Sequence, residues 1–97
     1  MANALVSLQV IPRPPDNEDV IPLVDRAIAV IADSGVKFRV GPLETTMEGE
    51  LSHLLDIVRE VSDQMVELGC PSVISQVKIF HTPAGASMDR LTEKYDH

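Results

Sequence analysis

Val36-Lys37-Phe38-Arg39-Val40-Gly41-Pro42-Leu43-Glu44-Thr45-Thr46-Met47-Glu48-Gly49-Glu50 reads as two strands folded back on each other and delivered into a helix. Val36, Phe38 and Val40 alternate with Lys37 and Arg39. Leu43, Thr45 and Met47 alternate with Glu44, Thr46 and Glu48, again the period of two that a half-buried strand shows. Gly41-Pro42 supplies the turn of a hairpin. Past Glu50 the period lengthens: Leu51, Leu54, Leu55, Val58, Val61, Met65 and Leu68 recur at three- and four-residue steps, with Asp56, Arg59, Glu60, Asp63 and Glu67 on the far side. This predicts a helix over 51–68, ended by Gly69 and Pro71.

Upstream of the hairpin, Val6, Leu8 and Val10 alternate with Leu5, Ser7, Gln9 and Ile11, which predicts a first strand over 3–11. Pro12, Pro14 and Pro15 stop it. A helix then begins at Asp19, because a cap there puts Pro22 in the first turn, where a missing N–H costs little. Val20, Leu23, Val24, Ala27, Ile28 and Ile31 are its expected buried stripe, and Gly35 ends it. Downstream, Val73, Val77 and Ile79 alternate with Ile74, Gln76 and Lys78 in a last strand over 72–80.

The order β-α-β-β-α-β predicts an α+β, ferredoxin-like sandwich: an antiparallel four-stranded sheet with both helices on one face. Leu5, Ser7, Gln9, Ile11, Lys37, Arg39, Thr46, Glu48, Ile74, Gln76, Lys78 and Phe80 then share the other face, which this reading leaves uncovered. A mixed apolar and polar face of this kind is expected to meet a ligand or another subunit. The ferredoxin-like domain is assigned to residues 1–82. Residues 83–97 form a polar tail, with a short helix capped by Ser87 and too little apolar character to join the core.

At 97 residues the chain has room for one modest core. Eight basic residues against fifteen acidic ones give a net charge of −7. That balance argues against nucleic acid or an anionic membrane as partner and suits a cationic ligand. A lone cysteine, Cys70, precludes an internal disulfide and points to a reducing cytoplasm. The start carries no basic, long apolar signal segment, and no apolar run approaches the ~20 residues of a membrane span.

Two hydroxyls and three carboxylates fall between Glu44 and Glu50, more than a turn needs. The surplus reads as a site for something small, polar and cationic. Each group also has a plainer role: Glu48 and Glu50 at the positive end of the second helix, Thr45 and Thr46 as strand formers, Ser7 and Gln9 in a subunit contact. Lys37 and Arg39 are placed to neutralise Glu44 or Glu48 across the hairpin. Catalytic readings find little support. Cys70 follows a helix C-terminus, where the dipole disfavours a thiolate, and His53, His81 and His97 match no metal-site spacing.

Val6-Ser7-Leu8-Gln9-Val10-Ile11-Pro12, the Ser34-Gly35 break and Gly41-Pro42-x-x-Thr45-Thr46-x-Glu48-Gly49-Glu50 together resemble the small thiamine-binding, YkoF-like family, from about Asn3 to Ile79. Phe80-His81-Thr82-Pro83 departs from the Asp- and Arg-rich continuation of the last strand common in that family. The resemblance implies a cytoplasmic homo-oligomer, dimer or tetramer, that binds thiamine or its aminopyrimidine without catalysis and without a cofactor. Under it, Glu48 pairs with the aminopyrimidine, Ser7, Gln9, Thr45 and Thr46 complete a polar wall, and Phe38 stacks on a ring unless it serves the core. Strand alternation sends Thr45 and Thr46 to opposite faces, so one of the two reaches the ligand unless a bulge intervenes. A ligand-free oligomeric scaffold, or a regulatory domain for an amino acid, is the alternative.

Overall fold

Alternating apolar residues build the sheet, as expected: in this computed structural model, which describes residues 2–95, β1 (Ala4–Arg13), β2 (Lys37–Val40), β3 (Thr45–Gly49) and β4 (Ser72–His81) form one sheet in the order β2-β3-β1-β4. Met1, Asp96 and His97 lie outside the described residues, and with them the ends of the expected domain and tail. Every neighbouring pair of strands is antiparallel. Helices α1 (Ile21–Asp33) and α2 (Leu51–Glu67) pack on one face, which gives the ferredoxin-like sandwich. A single 3-10 turn, Pro15–Asn17, follows the first strand.

The register fixes which residues share a face. Val6 opposes Met47 and Ile79, and Leu8 opposes Thr45 and Val77, all toward the helices. Leu5 opposes Glu48 and Phe80, and Ser7 opposes Thr46 and Lys78, all away from them. Lys37 and Arg39 face Glu48 and Thr46 from β2, so the polar half of the alternation lies on the second face as expected.

Four departures have local causes. The hairpin turn spans four residues, closed by Gly41 N–H donating to the Glu44 carbonyl at 2.7 Å, so Leu43 belongs to the turn and is exposed. Asp19 Oδ1 accepts from Ile21 N–H at 3.1 Å, and Val20 sits before the first helical turn, exposed beyond the sheet. In α2 the buried residues are Leu54, Ile57, Val61 and Met65, while Leu55 and Leu68 are exposed. The N-terminus of α2 is served from a distance: Asn3 Oδ1 accepts from Leu51 N–H at 2.9 Å, and Asn3 Nδ2 donates to Glu50 Oε2 at 2.8 Å. Glu50 is thus a helix-start residue held through Asn3.

The tail also corrects the expectation of an uncovered second face. Thr82 and Ala86 donate backbone N–H groups to the Asn3 and Ala2 carbonyls, at 2.8 and 2.9 Å, which carries the chain back over β1. Helix α3 (Met88–Thr92) follows, with Ser87 Oγ capping Arg90 N–H at 3.3 Å. Ala86 and Met88 bury themselves on Leu5, in a second small apolar cluster on the side away from α1 and α2. Two apolar residues in an otherwise polar segment anchor it there, helped by the Met88 N–H bond to Glu48 and the Asp89 ion pairs.

Candidate functional site

With α3 seated over one end of the open face, the other end is a shallow basin of about 680 Å³. Its floor is set by strand alternation. Ser7 and Gln9 lie two residues apart on β1, directly across from Lys78 and Gln76 on β4, with Val77 at the margin. Glu44 enters from the hairpin turn, one residue beyond the last β3–β1 pair, Leu8–Thr45. The turn leaves room for it: a Cβ at Gly41 would sit 3.1 Å from the Glu44 carboxylate and 3.0 Å from its carbonyl oxygen. One hydroxyl, two amides, a carboxylate and an ammonium therefore converge on one surface. Among the described residues neither Glu44 nor Lys78 makes an ion pair. Such a set can hydrogen-bond both donor and acceptor edges of a planar heterocycle and answer either sign of charge.

Of the residues expected at the site, Ser7 and Gln9 are in the basin. Thr46 lies on the same face, between Ser7 and Arg39, but outside the basin lining. Thr45 points the other way: it is 7% exposed and lines a separate, mostly apolar cleft of about 230 Å³ between α1 and the hairpin. Phe38 pairs with Met47 on the helix side and packs against the main core. No bulge reverses that alternation, so Thr45 and Phe38 stand apart from Ser7 and Gln9.

Glu48 has a different employment. Its Oε1 accepts from Met88 N–H at 2.8 Å, at the first turn of α3, so it starts a helix, though not the one that follows it in sequence. Lys37 and Arg39 do not neutralise Glu44. Both bind Asp89 of α3, Arg39 Nη2 at 3.2 Å, and Arg39 Nη1 also meets Thr92 Oγ1 at 3.2 Å. The Lys37 ammonium hydrogen-bonds Asp89, which holds the Asp89 carboxyl below and the Lys37 ammonium above their ordinary ranges. Glu44, Gln76 and Lys78 line the basin without being among the expected site residues. For the last two the signal was present, since alternation had already put them on the open face.

The Asp89 latch carries a pH signature. A carboxylate whose folded value is depressed contributes above its unfolded value and loses the contribution as pH falls through the folded one. A lysine whose value is raised contributes below its unfolded value and loses it as pH climbs through the folded one. The attachment of α3 is therefore expected to be intact between about pH 4 and pH 10 and to loosen outside that window. Hydrogen exchange of the amides in α3 should accelerate below the window relative to β1, after correction for the intrinsic rate. Asp89→Asn should reproduce the loosening at neutral pH. Equal protection of α3 in the variant and the parent would contradict the latch.

The chain resembles known proteins in sequence and in fold. The family model described as "Thiamine-binding protein" matches residues 6–96. A UPF0045 protein of Clostridium perfringens (strain 13 / Type A) is 44% identical over 90 residues, which cover 93% of this chain and 94% of that protein. Among solved structures, a domain of unknown function from Bacillus cereus superposes with a TM-score of 0.90 at 38% identity, over 98% of this chain and 92% of that one. A Thermotoga maritima protein described provisionally as belonging to thiamine biosynthesis or salvage superposes with a TM-score of 0.87 at 30% identity, over 97% and 99% of the two chains.

Proposed function

Because the chain belongs to the thiamine-binding protein family, we propose that it binds thiamine or a related aminopyrimidine reversibly, without chemistry, in the basin between β1, β4 and the hairpin turn. The observation that carries this reading is the convergence of Ser7, Gln9, Gln76, Lys78 and Glu44 on one open surface. The aminopyrimidine offers a ring nitrogen and an exocyclic amine, and a carboxylate paired with them gains more than a neutral acceptor would. Glu44 takes the role expected of Glu48, because Glu48 is occupied by α3. The cationic thiazolium suits the net charge of −7.

The same face supports association of like chains in the cytoplasm. Ile74 and its cross-strand partner Ile11 are 61% and 44% exposed at one end of the open face, apolar area available to a second chain. A second copy laid on the sheet would cover this area and roof the basin, so that the ligand is held between subunits. The protein would then act as a carrier, buffer or sensor. Among the described residues no helix is long and apolar enough to cross a membrane.

Calorimetric titration of the purified protein with thiamine tests the reading. Saturable heat at a fixed stoichiometry is the expected result. Silence, with the oligomer intact on a sizing column, would instead favour a ligand-free scaffold.

A further inference from the structure

The basin contains a cation, and a purely cationic guest has no use for one. Lys78 stands directly across β1–β4 from Ser7, while Glu44 lies beyond Gln9 on the β3 side. From strand spacing of about 4.8 Å and a rise of about 3.4 Å per residue, the two charged positions are roughly 12 Å apart along the diagonal of the face. That is the separation of the backbone positions, and among the described residues no ion pair joins the two side chains. The basin is therefore bipolar, with an acidic end at the hairpin and a basic end at the edge strand, and neither end quenches the other.

Resting on the thiamine-binding reading above, we propose that the preferred ligand is a phosphorylated one: an aminopyrimidine–thiazolium whose cationic part lies toward Glu44 and whose phosphate lies on Lys78 and Ser7. The other cations of this face lie outside the basin: Arg13, at the far end of β1 beyond Ile11, is not among its lining residues. Lys37 and Arg39, on the opposite edge strand β2, hold Asp89, which leaves Lys78 as the ammonium that faces the basin. A phosphate there receives a charge-assisted bond from Lys78 and a hydroxyl donor from Ser7, and the amide of Gln76 stands next along β4. Unphosphorylated thiamine would offer Lys78 nothing better than its terminal hydroxyl, beside an ammonium that repels its thiazolium. The location at an edge strand also suits a ligand terminus that varies in length.

Titration of the 97-residue chain with thiamine and with thiamine monophosphate, in parallel and without divalent metal, tests this. The phosphate ester is expected to bind about tenfold or more tightly, the scale of one hydrogen bond to a charged group. Raising the salt should shrink that ratio. Lys78→Gln is expected to bring it close to one, and Lys78→Arg to preserve most of it. Lys78 is exposed on an edge strand, so both variants should fold, which circular dichroism checks. If thiamine binds and the ester binds no better, or if the ratio survives Lys78→Gln, the phosphate assignment is overturned while the thiamine reading stands. If neither compound binds, both fall together.

Discussion

Glu44→Gln is expected to weaken thiamine binding about tenfold or more, whereas Glu48→Gln should leave it within about twofold. The two carboxylates are four residues apart, a spacing that plain strand alternation would put on one face, so sequence position hardly separates them. Their surroundings do. Glu48 accepts from the Met88 backbone beneath α3, and a glutamine oxygen can keep accepting there, so that substitution disturbs little beyond the tail. Glu44 borders the basin, and its replacement removes the negative charge that a protonatable ring edge and a thiazolium would meet. The loss should be read by calorimetry at constant salt, because exposed pairs weaken as salt rises. A reversed pattern, with Glu48→Gln disabling and Glu44→Gln harmless, would place the ligand under α3 and remove the basin from consideration.

That exchange of roles shows what strand alternation can and cannot deliver. Period two is a property of the backbone, so the open-face assignment of Ser7, Gln9, Gln76 and Lys78 followed from the residues alone, and the observed pairs Ser7–Lys78 and Gln9–Gln76 reproduce it. The same rule separates Thr45 from Thr46, and the pairs Leu8–Thr45 and Ser7–Thr46 follow it. What alternation could not supply was the path of the chain after β4. Ala86 and Met88 are two apolar residues in a polar stretch, too few for a periodic signal, yet they decide that Leu5 is covered and Glu48 is taken. Glu44 was misread for a related reason: a two-residue turn at Gly41-Pro42 would have placed it inside a strand opposite a basic residue, whereas the closed turn through Glu44 frees it toward Gln9.

The helical reading went astray by one position, with a measurable consequence. At about 100° per residue around a stripe centred on Leu54, Ile57 lies about 60° from the centre and Leu55 about 100°. Leu51, Leu54, Leu55 and Val58 satisfy three- and four-residue spacing among themselves, so counting steps admits Leu55; the angle excludes it. The structure agrees with the angle, since Ile57 is 1% exposed and Leu55 41%. Ile57 belongs to the layer that joins Leu54, Val61 and Met65 to Val6 and Met47 on the sheet. Ile57→Ala is therefore expected to cost about 2–5 kcal/mol, transfer of the lost methyl groups plus the cavity they leave. Leu55→Ala should cost about 0.5 kcal/mol or less, as for an exposed position on a good helix former. For a domain of this size each kcal/mol corresponds to about 4–8 °C in melting temperature, so the two variants should separate by about 6 °C or more. Urea denaturation with an unchanged slope would confirm that stability, and not the compactness of the unfolded chain, has moved. Equal losses at the two positions would mean that α2 is rotated about its axis from the orientation seen here, and with it the packing that holds β1 and the floor of the basin flat against the helices.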